Sequence, residues 1–129
     1  MIDIRTTAPQ EMIDITRLIR EEVHNHGLKD GLVAVFVPHT TAGITINENA
    51  DPDVVHDMLA ALERTYPAHG PYRHAEGNSH AHIKASLMGS SVMVPVKDRR
   101  LSLGIWQSIY LCEFDGPRNR QVEVQFFER

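Results

Sequence analysis

Three histidines far apart in the chain, His39, His74 and His82, are the side chains best suited to chemistry. Imidazole nitrogens hold zinc and similar divalent metals at roughly 2.0–2.1 Å, and a catalytic metal site typically uses three protein ligands and one open position. His39 follows an apolar run, His74 lies in a stretch rich in proline and glycine, and His82 opens the next ordered segment. Such wide spacing is a weak motif, and by itself it favours three scattered polar histidines. His80 and His82 also form an HxH pair. Side chains two apart share a face on a strand but diverge on a helix, and the helix expected here would use only one of them. Asn78 is placed to cap that helix. His24, His26, His56 and His69 fall on expected helix surfaces or in loops and read as solvated.

A second constellation is DGPRNR. Asp115, Gly116 and Pro117 shape a turn, and Arg118 and Arg120 present guanidinium forks suited to phosphate or carboxylate. A structural Asp–Arg pair holding the turn is an equal alternative. Glu48 and Glu113 have the chemistry of a general base or of a carboxylate that orients a histidine, and equally that of surface charges. No GxxxxGK[ST] loop, GxGxxG turn or GxSxG elbow occurs, so nucleotide-cradle and serine-hydrolase readings have no support. Cys112 sits in an apolar context and reads as a buried, inert thiol.

These residues need elements to position them. Ile2 and Ile4, then Met12 to Ile15 after Pro9, read as two short strands. From Thr16 as N-cap, Leu18, Ile19 and Val23 make one helical stripe that Gly27 stops. Leu32 to Val37 and Gly43 to Asn47 read as buried strands separated by PHTTA, which puts His39 at a strand end. Asp51-Pro52 starts a second helix whose Val54, Val55, Met58, Leu59 and Leu62 are expected to face the core. Tyr66 to Asn78 has no periodicity and reads as a loop of functional length. Ala81 to Met88 is expected to form a short helix closed by Gly89. Val92, Val94 and Val96 then alternate as a strand, followed by a turn at KDRR. Leu101 to Phe114 and Val122 to Phe127 are expected to pair as a C-terminal hairpin across DGPRNR. Seven to nine strands with two or three helices favour an α+β fold, an antiparallel β-sandwich with flanking helices.

At 129 residues the chain is the size of one domain, 1–129. Its net charge of −4 lacks the basic surplus that general nucleic-acid binding needs. A single cysteine rules out an internal disulfide and fits a reducing cytoplasm, and no apolar run is long enough to span a membrane.

Three stretches, PHTTAGITINENADPDV, YRHAEGNSHAHIKASLMGSSVMVPV and LSLGIWQSIYLCEFDGPRNRQVEV, together resemble the YjbQ-like family over nearly the whole chain. The resemblance implies a compact β-sandwich with flanking helices, a homotrimer, and a histidine-lined site with a divalent metal such as zinc. It also implies a secondary thiamine-phosphate synthase activity, which joins a pyrimidine diphosphate to a thiazole phosphate with loss of pyrophosphate. His39 is carried by HTTA, His74 by YRH and His82 by AHI, while Glu48, Asp115, Arg118 and Arg120 also match. Ser79 and His80 depart from the family's usual residues.

As an enzyme, the chain would use His39, Glu48, Arg118 and Arg120 catalytically, with the metal on His39, His74 and His82 and a small phosphorylated or anionic molecule as substrate. The lack of an acidic cluster speaks against magnesium, which prefers oxygen ligands. The alternative is a non-catalytic trimeric module that binds a metal or a small anion in the same pocket.

Overall fold

The computed structural model describes all of residues 1–129, and the chain forms eight strands and three helices. In order they are β1 (Ile2–Arg5), β2 (Glu11–Asp14), α1 (Thr16–His26), β3 (Gly31–Phe36), β4 (Ala42–Glu48), α2 (Pro52–Thr65), α3 (Ser79–Met88), β5 (Ser91–Lys97), β6 (Arg100–Leu101), β7 (Gln107–Glu113) and β8 (Asn119–Glu128). Five strands make one sheet in the order β1-β8-β3-β5-β6 and three make another in the order β2-β7-β4. Every pairing is antiparallel. This is the expected α+β sandwich.

Between the sheets lies the main core. Val33, Val35, Val94, Val96 and Val122 come from the larger sheet and Ile44, Ile109 and Leu111 from the smaller, with Ile19 and Val23 of α1 packed among them. Alternation explains which residues face inward, because side chains two apart on a strand share a face. β7 is buried on both faces, since Tyr110, Cys112 and Phe114 point the other way, into a second cluster with Ala81 and Ala85 of α3. Burial pushes the Cys112 thiol up to about 12, so it is inert as expected.

Helix starts and stops follow their end residues. Gly27 takes a left-handed φ of 77° and its N–H donates to the Val23 and His24 carbonyls, ending α1. Asp51 accepts from the Asp53 N–H at 2.9 Å and Pro52 occupies the first turn of α2. Thr16 is not the N-cap. It is the first helical residue, its N–H donates to the Asp14 carboxylate at 2.9 Å, and its hydroxyl accepts from the Ile109 N–H at 2.8 Å.

Two further expectations are corrected. The stripe on α2 is only half-buried: Val55, Leu59 and Leu62 pack on the smaller cluster, and no α2 residue is fully enclosed because nothing covers its other flank. Residues 101–114 and 122–127 do not form a hairpin. β7 and β8 belong to different sheets, and residues 114–118 carry the chain across the edge of the sandwich. No helix is long and apolar enough to cross a membrane.

α3 lies close on β4 because the facing residues are small. A Cβ built on Gly43 would come within 2.9 Å of the Gly89 carbonyl oxygen and 3.0 Å of the Met88 Cβ. Gly43→Ala is expected to push α3 outward and lower unfolding stability by about 1–3 kcal/mol, measurable by urea denaturation.

Candidate functional site

The chain crosses between the two sheets twice at the same end, through residues 37–41 after β3 and residues 114–118 after β7. Together with the start of α3 these crossings enclose a cleft of about 610 Å³ whose polar walls include His39, Thr41, Asn78, His82, Arg118 and Arg120.

A buried ion pair forms its base. Glu113 is fully buried at the end of β7, and Arg120, near the start of β8, is 4% exposed. Arg120 Nε donates to Glu113 Oε2 at 2.7 Å, Nη2 donates to Oε1, and Nη2 also donates to Thr41 Oγ1 at 2.8 Å. The Thr6 hydroxyl and the Asp115 N–H donate to the same carboxylate at 3.0 and 2.9 Å. Burial would raise the Glu113 carboxyl, but hydrogen bonds from Arg120 and the Asp115 N–H overcome this and hold it below its ordinary range. Arg120 Nη1 has no protein acceptor, and Arg120 lines the cleft.

Arg118 is held in parallel fashion. Its Nε donates to the Asp115 carbonyl at 2.7 Å and its Nη2 to Asp115 Oδ2 at 3.0 Å, which again leaves Nη1 without a protein partner. Asp115 Oδ2 also accepts from Asn78 Nδ2 at 2.9 Å. Asn78 makes no side-chain cap to α3, contrary to expectation, because its amide is drawn to Asp115. Its Oδ1 is buried with no partner.

His39 projects into the cleft just after Pro38. Its Nε2 accepts from the Gln121 backbone N–H at 2.9 Å, so in the neutral ring the proton is on Nδ1. Burial, and then the Arg120 charge, lower its pKa. Beside the Glu76 and Asp115 carboxylates that also line it, the cleft offers two free guanidinium nitrogens and one imidazole N–H, donors that suit an anion.

His82 lines this cleft and an adjoining one shared with His39, whereas His74 is exposed and meets His82 edge to face with ring centroids 5.6 Å apart. The three histidines thus form a row, not a point. No three His, Cys, Asp or Glu side chains are placed to hold a metal ion, and the Nε2 of His39 is already occupied by Gln121. The residues of one chain do not fit a three-histidine metal centre. Glu48 lies at the opposite end of β4, roughly 20 Å along the strand from Thr41, with Oε2 accepting from the Ala50 N–H at 3.1 Å.

Lys84 carries no signal of its role in the sequence. It is fully buried, and its Nζ meets Gln10 Oε1 at 3.0 Å, Glu63 Oε1 at 3.1 Å and His80 Nδ1 at 2.9 Å. All three ammonium protons are satisfied, so burial of the charge is tolerated. His80 faces this network while His82 faces the cleft, the divergence a helix imposes. The four-residue spacing of His80 and Lys84 is visible in the sequence, but nothing there signals that the lysine is buried.

A protein-family model described as UPF0047 protein YjbQ-like matches residues 1–129. The chain belongs to the YjbQ-like UPF0047 family. It is 53% identical over 125 residues to UPF0047 protein YugU of Bacillus subtilis, covering 96% of this chain and 95% of that one. A UPF0047 protein of Methanocaldococcus jannaschii is 48% identical, covering 95% of this chain and 88% of the other. Among solved structures, an uncharacterized protein of the family from Clostridium acetobutylicum superposes with a TM-score of 0.96 at 54% identity, covering 98% of both chains. A hypothetical protein from Aeropyrum pernix gives 0.94 at 35% identity, covering 99% of this chain and 96% of the other.

Glu113→Gln would leave the buried Arg120 charge uncompensated, and a loss of about 3–5 kcal/mol is expected in denaturant melts. Because the folded pKa of Glu113 is depressed, its contribution is present above the unfolded carboxylate pKa and is lost as pH falls through the folded value. The native protein should therefore lose stability on acidification below that range, and the variant should lose less.

His39 titration is a separate expectation. Its imidazole signal should titrate below the ordinary histidine range by NMR, the direction that burial and Arg120 impose. A midpoint above that range would contradict the burial of His39 beside Arg120.

Proposed function

We propose that the cleft binds a small phosphorylated molecule and that the chain acts on it as a transferase of the thiamine-phosphate synthase type. The observation that carries this reading is the pair of free Nη1 groups on Arg118 and Arg120, each fixed by a carboxylate behind it, beside the His39 Nδ1–H. Donors held in place before the ligand arrives cost no reorganisation when negative charge develops.

In the synthase reaction a C–N bond forms between the thiazole phosphate and the pyrimidine unit. The C–O bond to the diphosphate breaks, and pyrophosphate leaves with the bonding pair. Arg118, Arg120 and His39 would stabilise that departing charge. Glu48 has no role in a cleft built by one chain, and no step here runs through a metal.

We place the protein in the cytoplasm, in keeping with its single buried thiol, and as a homotrimer. The outer face of the five-stranded sheet supports assembly: Leu32, Phe36, Met93, Pro95 and Phe127 point outward there, and Phe36, Met93 and Phe127 are 41%, 59% and 54% exposed. A soluble domain usually covers such a patch with a partner. Phe36 also lines the cleft, so a subunit seated on this face would reach its rim.

A second reading is a non-catalytic module that holds a metal or an anion. The edge-to-face His74 and His82 rings favour the metal form, because they supply two imidazoles to an ion such as zinc and leave further ligands to come from elsewhere.

The proteins to compare are the native chain, Arg118→Gln and His39→Ala, each purified without a histidine tag and assayed with a pyrimidine diphosphate and a thiazole phosphate. Turnover by the native protein that falls at least tenfold in both variants, with assembly and melting unchanged, is the expected result. Saturable phosphate binding without turnover would favour the module, and stoichiometric zinc lost in His82→Ala would favour its metal form. Absence of both binding and turnover would contradict the anion site.

A further inference from the structure

At the opposite end of the sandwich from the cleft, β5 and β6 are joined by Asp98 and Arg99, both left-handed with φ of 50° and 67°. A two-residue turn of this hand is usually built from Asn-Gly, because a Cβ is disfavoured at positive φ. Arginine therefore occupies position 99 against the preference of its own backbone. Strain of this kind directs attention to what the side chain does.

Arg99 and Arg100 meet Arg20 of α1 in one pocket of about 330 Å³, whose only other lining residue is Leu101. None of the three guanidinium groups donates to a protein acceptor or lies within 4.0 Å of a carboxylate; Arg64, Arg73 and Arg129 are likewise unpaired, but Arg20, Arg99 and Arg100 are brought together in one pocket. Carboxylates are not scarce, since the chain has 17 acidic against 13 basic residues. The nearby Asp30 instead accepts from the Asp98 N–H at 3.0 Å, and both aspartates line a neighbouring groove.

Three unpaired cations around one pocket repel each other unless an anion joins them, and planar guanidinium forks suit bidentate phosphate oxygens. One phosphate would leave part of this charge uncompensated, whereas a diphosphate meets three forks. The pocket volume suits a small ligand, and no aromatic ring lines it to select a base. We propose that the Arg20–Arg99–Arg100 pocket is a second anion site, for a diphosphate group. It lies roughly 20 Å along β5 from the cleft, shares no lining residue with it, and does not rest on the function proposed above.

The test is a titration of the full-length protein with sodium pyrophosphate, followed by amide NMR so that the hairpin at residues 98–101 and the cleft at Thr41 and Gln121 are read separately. Saturable shifts at the hairpin are expected, with affinity there falling about tenfold in each of Arg20→Gln, Arg99→Gly and Arg100→Gln. Arg99→Gly should also melt higher than the native protein, because glycine relieves the left-handed backbone, so its weaker binding would not reflect a damaged fold. ADP run in parallel separates the sources: equal affinity points to a bare diphosphate, and tighter ADP to a nucleoside-borne one. Shifts confined to the cleft, or hairpin affinity unchanged in the three variants, would overturn the proposal.

Discussion

The buried pairing of Glu113 with Arg120 is the interaction on which the geometry of the site depends. The two residues belong to different sheets, and the fork between them also reaches Thr41 just before β4. The chain between them can turn the corner because Gly116 has no side chain: a Cβ there would collide with the Ala8 carbonyl oxygen. A buried pair of this kind is weak evidence of net stabilisation, since desolvation offsets much of the attraction. Its value here is positional. It fixes where two crossings lie relative to one another, and the cleft is the space between them.

The same economy recurs in the cleft wall. Asp115 holds Arg118 from behind as Glu113 holds Arg120, and in each case one guanidinium nitrogen is left facing outward. A carboxylate so used lends rigidity to the guanidinium it holds. On the far side of the smaller sheet, the Lys84 ammonium ties α3 to Glu63 of α2 and to Gln10 before β2. His82 and Asn78 are thereby carried on a helix anchored by packing at Gly43 and by a saturated buried charge.

Much of this was legible in the sequence. Strand alternation places His39 at a strand end, the Asp51-Pro52 pair marks α2, and DGPRNR signals the Asp115–Arg118 pair that the structure contains. The failures have a common cause in long-range partners that local patterns do not encode. The hairpin expected across DGPRNR was wrong because turn chemistry is the same whether a chain returns along its own sheet or crosses to another. Asn78 reads as a cap in any sequence, yet Asp115, distant in the chain, takes its amide. His39, His74 and His82 are grouped by residue type, and the structure sets His82 between the other two, sharing one cleft with His39 and a separate pocket with His74. Glu48 had the right chemistry at the wrong end of β4. Lys84 is silent in the sequence because its burial depends on three acceptors, Gln10, Glu63 and His80, drawn from three separate segments.

The most direct measurement is made on the double variant Glu113→Leu/Arg120→Met, which removes both buried charges together and keeps apolar volume at the crossing. Its melting and its affinity for inorganic phosphate would be compared with the native protein. If Arg120 serves both the crossing and the ligand, the variant should still fold, because neither charge is left alone, and lose only about 1–3 kcal/mol for the Thr6 hydroxyl and Asp115 N–H left without their acceptor, while phosphate binding in the cleft falls at least tenfold. Native affinity in the folded double variant would contradict the account, since Arg120 would then have no part in holding the anion.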